Sequence, residues 1–275
     1  MKTIGVFDSG VGGLSVLRAL LAEIPEAAFV YVADSAYAPY GERSAQAVIE
    51  RSRRIADHLV QQHAIDVLVV ACNTATALAI DDLRRACPHL PIVGVEPALK
   101  TAATISRSGH VGVLATRGTL DSERFAQLRS RVEATAAQPI HFICQPCDGL
   151  ADAIERGDTS TTRLLCQHYT QAMRAHEDPS HRIDTLVLGC THYPFAAEVL
   201  SQLCGSGVSL VETGTPVARR TRAVLGPGTA IQRDPGASAG LQLLSTGSPA
   251  ALTDAAQRWL PARAVASSLV LEPLP

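Results

Sequence analysis

At 275 residues and a formal net charge of −2, the chain has room for one large or two modest domains and lacks the basic field carried by nucleic-acid or membrane-surface binders. No apolar run approaches the roughly eighteen residues of a membrane span, and the N-terminus enters a strand without a basic n-region, a long apolar h-region or a cleavage site, so the expected location is the cytoplasm. Seven cysteines, an odd number with no framework spacing, are then expected as free thiols, and lysine occurs only at Lys2 and Lys100.

In chain order, Thr3 to Phe7 reads as a strand and Asp8-Ser9-Gly10-Val11-Gly12-Gly13 as the turn after it. A helix from about Ser15 carries Val16, Leu17, Leu20, Leu21 and Ile24 at helical spacing. Phe29 to Ala33 is a second strand, delivering Asp34 and an irregular loop through Pro39-Tyr40-Gly41. Ser44 caps a long amphipathic helix with Val48, Ile49, Ile55, Leu59 and Val60 on one face, which leaves Glu50, Arg51, Arg53, Arg54 and Asp57 as a solvated face. Val67 to Ala71 is a run of five apolar residues, three of them valine. It suits a strand covered on both faces that ends at Cys72, before a helix to about Cys87 and a fourth strand from Pro91 to Val95.

From about Pro97 the plan restarts. A helix to Ser106, a strand at Val111 to Ala115 and a helix near Thr119 come first. A strand at Ile140 to Cys144, two helices across Leu150 to His176 and a strand ending at Cys190 follow. Pro194 opens another helix, Val208 to Val211 returns the chain, and Glu212-Thr213-Gly214 precedes a helix with Val217, Val224 and Leu225. Beyond a loop from Gly226 to Gly240, strands at Leu241 to Ser245 and Val265 to Leu271 flank a helix ending near Trp259 and are expected to pack onto the first half.

The two halves repeat one plan. Ile4 to Ser9 aligns with Val111 to Thr116 at an offset of 111 − 4 = 107, and Cys72 aligns with Cys190 at 190 − 72 = 118. Asp66 and Asp184 each stand six positions before the thiol. The fold class read from this is α/β, two pseudo-symmetric domains of mainly parallel sheet flanked by helices: 1–97 with 208–275, and 98–207. The active site is expected in a cleft between them, because ligands bind beyond the carboxyl ends of parallel strands, where Asp8, Cys72, Thr116 and Cys190 are placed.

Two thiols on opposite faces of one carbon are the minimum apparatus for inverting it: one removes a proton and the other returns one from behind. An amino-acid α-hydrogen is a very weak acid beside a thiol of reference pKa about 8.5. The usual remedy is a pyridoxal Schiff base on lysine, for which Lys2 and Lys100 sit in unpromising stretches. Thiolates activated by helix N-termini and a neighbouring acid/base are the alternative, with Asp8 beside Cys72 and His192 beside Cys190.

Gly5-Val6-Phe7-Asp8-Ser9-Gly10-Val11-Gly12-Gly13-Leu14, Pro39-Tyr40-Gly41, Ala71-Cys72-Asn73-Thr74-Ala75 and Gly189-Cys190-Thr191-His192-Tyr193-Pro194 together resemble the glutamate racemases of the cofactor-independent aspartate/glutamate racemase superfamily, essentially end to end. The resemblance implies interconversion of L- and D-glutamate, the latter for peptidoglycan, with no metal or organic cofactor. It also implies a homodimer, while the net charge argues against nucleic-acid or membrane partners. By the same resemblance Cys72, supported by Asp8, acts on the D-enantiomer, and Cys190, supported by His192, on the L-enantiomer. Asn73, Thr74, Thr116, Thr119 and Thr191 would hold the α-carboxylate, and Ser9, Pro39, Tyr40 and Gly41 the side-chain carboxylate region. His192 points to glutamate over aspartate. The chain departs from the family pattern at Tyr37, at Glu212-Thr213 and across the loosely matching segment Cys147 to Gly157, which includes Glu155.

Other readings compete at several positions. Gly10-Val11-Gly12 with Asp34 about twenty residues on mimics a dinucleotide fingerprint, but Ser15 stands at the third glycine position and Gly13 intrudes. Cys144 and Cys147 have redox-pair spacing without a second pair to complete a zinc site. Cys190 with His192 is also a hydrolase dyad in outline, which leaves Cys72 idle. Asp8 as a turn cap, His192 as a structural hydrogen-bonder, an aspartate racemase and a non-catalytic amino-acid binder complete the set.

Overall fold

The computed structural model describes residues 1–175, 182–226, 240–261 and 264–271. The expected loop inside Gly226 to Gly240 and the helix end at His176 fall outside them. The chain forms two compact units, Met1–Val95 with Gly214–Pro275, and Glu96–Thr213. In the first, β1 (Thr3–Asp8), α1 (Leu14–Glu23), β2 (Ala28–Ala33), α2 (Ala45–His63), β3 (Val67–Val70), α3 (Asn73–Ala86) and β4 (Ile92–Gly94) alternate. The second holds α4 (Leu99–Ile105), β5 (His110–Ala115), α5 (Arg117–Leu120), α6 (Glu123–Thr135), β6 (His141–Pro146), α7 (Leu150–Glu155), α8 (Thr159–Arg174), β7 (Thr185–Gly189), α9 (Ala197–Cys204) and β8 (Ser209–Val211). The chain then returns to the first unit with α10 (Gly214–Leu225), β9 (Leu241–Ser245), α11 (Pro249–Trp259) and β10 (Ala266–Ser268). No helix among the described residues is long and apolar enough to cross a membrane.

Both sheets are parallel throughout. The first runs β10-β9-β2-β1-β3-β4 and the second β6-β5-β7-β8. The central strands are buried on both faces, β3 as four consecutive fully buried apolar residues, as parallel strands covered by helices on each side are. The internal repeat extends to register: Ile4 faces Val67 and Val111 faces Thr185, the same offsets of 111 − 4 = 107 and 185 − 67 = 118 that the sequence shows. The two aligned aspartates also do one job. Asp66 accepts from the backbone N–H of Thr3 at the entry to β1, and Asp184 from those of Arg107 and Ser108 just before β5.

Three details differ from the sequence reading. The segment 208–213, assigned there to the first domain, carries β8, which pairs with β7 and buries Val211 in the apolar layer of Val113 and Val187. The helix expected near Thr119 is two, because the Ser122 hydroxyl accepts from the Phe125 N–H and starts a new one. Arg51 is not on a solvated face. It is buried at the α2 surface that meets the sheet and donates twice to the equally buried Asp34, at 2.9 and 2.6 Å.

Close packing under β1 leaves one position no freedom. A Cβ on Gly13 would lie 2.5 Å from Asp8 Cβ and 2.7 Å from the Tyr31 hydroxyl, which itself donates to the Gly10 carbonyl at 2.6 Å. Gly13→Ala is therefore expected to destabilise the protein by about 1–3 kcal/mol, as overpacking does. A denaturation midpoint equal to that of the parent would show that the turn relaxes freely.

Candidate active site

In each sheet the chain steps from the central strand to one side, then returns to the other. β1 lies between β2 and β3, and β5 between β6 and β7. Such a reversal opens a crevice at the carboxyl ends of the central strand and its later neighbour. Asp8 closes β1 and Cys72 follows β3. Thr116 follows β5 and Cys190 follows β7. The candidate residues thus fall at the two switch points, one set per unit.

In the first unit Asp8, Ser9, Cys72, Asn73 and Thr74 are all buried. The Asp8 carboxylate accepts from the Gly10 N–H at 2.8 Å, so it does cap its turn, and Ser9 Oγ lies 3.5 Å from Asp8 Oδ1 and 3.8 Å from Cys72 Sγ. Ser9 therefore links carboxylate and thiol. Cys72 is the N-cap of α3, its sulfur accepting from the Ala75 N–H at 3.4 Å, a position where the helix terminus favours an anionic sulfur. Both polar atoms of the Asn73 carboxamide are buried with no hydrogen-bond partner among the described residues. An unmet buried amide costs about 1–3 kcal/mol. Its tolerance beside a reactive sulfur is what a ligand-binding position requires.

The Pro39-Tyr40-Gly41 segment belongs to this unit and includes a short 3-10 helix, Tyr40–Glu42. Tyr40 is buried in the same apolar cluster as Cys72, and its hydroxyl donates to Asp34 Oδ2 at 2.5 Å. Burial, with the neighbouring Asp34 carboxylate, holds this phenol well above its ordinary pKa. Asp34 is thereby engaged by Arg51 and Tyr40, which leaves no place for it as a ribose ligand in a dinucleotide site.

In the second unit Cys190 and His192 are buried, with Cys190 Sγ 3.7 Å from His192 Nδ1. His192 Nε2 lies 2.7 Å from Oε2 of Glu155, the last residue of α7, to make a thiol–imidazole–carboxylate chain. Burial is the largest single influence on the ring and opposes its charge. The hydrogen bonds to Cys190 and Glu155, with their charges, outweigh it and raise the His192 pKa well above the usual value. Sequence reasoning carried no role to Glu155, which lies in the loosely matching segment; an acidic residue ending a short helix is too ordinary to signal a partner 37 positions away. Thr116 caps α5, accepting from the Thr119 N–H at 3.3 Å with the two hydroxyl oxygens 2.9 Å apart, and Thr191 is buried beside Cys190 in sequence.

The remaining cysteines form no disulfide among the described residues. Cys144 packs with the Val113 layer on one face of the second sheet and Cys147 with the Leu188 layer on the other, so their sequence spacing does not make a pair. Cys147, pushed up by burial, accepts at its carbonyl from the Tyr193 hydroxyl.

The family model described as Asp/Glu/hydantoin racemase matches residues 4–221. The chain belongs to this family. Among curated members, the glutamate racemase of Ectopseudomonas mendocina is 50% identical over 225 residues, covering 81% of this chain and 82% of its own. That of Pseudomonas aeruginosa strain PAO1 is 47% identical over 224 residues, 81% of each. Among solved structures, a glutamate racemase isoform from Bacillus anthracis superposes with a TM-score of 0.82 at 28% identity, over 98% of both chains. The Escherichia coli glutamate racemase in complex with L-glutamate and the activator UDP-MurNAc-Ala also gives 0.82, at 30% identity over 98% of this chain and 99% of its own. Family membership makes the chain an isomerase acting on amino acids, with the α/β architecture of these racemases.

Proposed function

We propose that this racemase interconverts L- and D-glutamate by proton exchange at Cα between two cysteines, without a cofactor, and supplies D-glutamate for peptidoglycan in the cytosol, as a homodimer. The observation that carries the mechanism is the doubled switch point. Each sheet delivers one buried thiol from the strand beside its central strand, each with its own polar support, Ser9 and Asp8 for Cys72 and His192 and Glu155 for Cys190. Relatives at up to 50% identity named for glutamate, and the L-glutamate bound by the Escherichia coli protein, support the substrate.

In the L-to-D direction Cys190 takes the α-proton as a thiolate while Cys72 returns one as a thiol; the reverse exchanges the roles. Asn73, Thr74, Thr116, Thr119 and Thr191 hold the α-carboxylate, whose negative charge grows as Cα becomes carbanion-like. The Asn73 carboxamide, buried and unmet, suits that task. Ser9 and the backbone N–H groups of Tyr40 and Gly41, in the turn that Pro39 opens, take the side-chain carboxylate.

In deuterium oxide, with no added cofactor, the purified protein should incorporate solvent deuterium at Cα of glutamate and drive either enantiomer towards a one-to-one mixture, with aspartate far slower. Protein that binds glutamate yet leaves Cα unlabelled would be a binder, and equal labelling of aspartate would withdraw the substrate assignment.

A further inference from the structure

The Asp34 carboxylate sits at the carboxyl end of β2, one strand from Asp8, whose carbonyl accepts the Asp34 N–H at 3.0 Å. It is wholly buried and receives donors from three separate elements. Arg51 of α2 contributes Nε at 2.9 Å and a terminal nitrogen at 2.6 Å, Tyr40 its hydroxyl at 2.5 Å, and Thr246, just after β9, its hydroxyl at 2.7 Å. The fork and the two hydroxyls together occupy both carboxylate oxygens. Thr246 Oγ1 also accepts from the Ala36 N–H at 3.3 Å, while the Arg51 guanidinium lies 3.8 Å over the ring of Tyr37, whose carbonyl accepts from Arg43. The contacts of the Ala36 N–H, the Tyr37 ring and the Tyr40 hydroxyl in the 36–43 loop thus lead, directly or through one residue, to this carboxylate.

Such an assembly is costly as a mere core filler. A buried carboxylate and guanidinium give up several kcal/mol of hydration each, and apolar side chains of like volume stabilise at least as well. What it supplies that apolar packing does not is direction. It fixes the Tyr40 phenol on one oxygen, and with it the backbone from Pro39 to Gly41, against the apolar cluster that also holds Cys72.

We propose that Arg51 and Thr246 are positioning residues for the substrate side chain: by orienting Asp34 as the acceptor of the Tyr40 hydroxyl, they set the Pro39–Gly41 backbone at the distance that fits glutamate. This rests on the racemase reading, in which that backbone takes the side-chain carboxylate. Neither residue touches the reacting carbon, so their loss acts on recognition more than on proton transfer. It also gives the turn after β9 a part in substrate selection through a single hydroxyl.

Steady-state kinetics in both directions tests it on the full-length protein. Thr246→Val removes the hydroxyl while keeping the volume, and is expected to raise the KM for L- and D-glutamate about tenfold with kcat within about threefold. Thr246→Ser, which restores the donor, should return KM to the parental value. Arg51→Lys keeps charge but loses the fork and should raise KM further; if it fails to fold, the Val and Ser pair decides alone. A folded Thr246→Val variant with parental KM, or one that loses kcat and KM alike without rescue by Ser, overturns the proposal. Absence of racemisation by the parent protein would instead sink the racemase reading itself.

Discussion

Cys72→Ala and Cys190→Ala should each lower racemisation of glutamate at least a thousandfold in both directions. General acid–base groups typically contribute 10²–10⁴ in rate, and in the proposed mechanism each thiol is base in one direction and acid in the other, so neither direction would escape. Both sulfurs end strands beside the switch points, Cys72 5% exposed and Cys190 6% exposed, and truncation to alanine removes little volume from either core. The fold should therefore survive, and circular dichroism with unchanged thermal midpoints would separate lost chemistry from lost structure. Cys147→Ala, equally buried but on a thiol outside the switch point, is the matched control and should keep most of its activity. Full activity in either of the first two variants would remove the two-thiol mechanism.

Glu155→Gln should cut kcat/KM by about 10- to 100-fold, a cost of the size found when the carboxylate orienting a metal-bound histidine is removed, and should move the pH profile in a defined direction. His192 is raised above its ordinary pKa against the pull of burial by Cys190 and Glu155. With a neutral amide at 155 one support is gone, so the ring loses its proton at lower pH. Because one thiol must be ionised and the other protonated in the proposed mechanism, kcat/KM is expected to be bell-shaped in pH, and any limb that depends on the protonated ring should shift towards acid. Stability follows the same linkage. A histidine whose folded pKa lies above its unfolded one adds stability that is complete below the unfolded value, about 6.5, and lost as pH rises through the folded value. The parent should thus lose part of its stability above neutrality, and Glu155→Gln should lose less, because it has less to lose. An unshifted limb, or a variant whose stability falls with pH as steeply as the parent's, would show that Glu155 does not govern the ring.

Much was determined by sequence alone because it is local. Strand identity follows from unbroken apolar runs such as Val67 to Val70, the start of the long first-half helix from Ser44, which accepts from the N–H three residues on, and the repeat from aligned aspartates and thiols whose offsets reappear in strand register. Tertiary structure decided what depends on partners distant in the chain. Arg51 reads as surface because of its charge, although it stands three residues after Val48 and four before Ile55 on the buried face of α2, and only the fold shows that a carboxylate, Asp34, waits there for its guanidinium. Glu155, 37 positions before His192, becomes its partner only where α7 meets the segment after β7. The same holds for Thr246, 212 positions from Asp34. Hydrogen bonds and charges act over a few ångströms of space, and only the packed sheets state which residues share them.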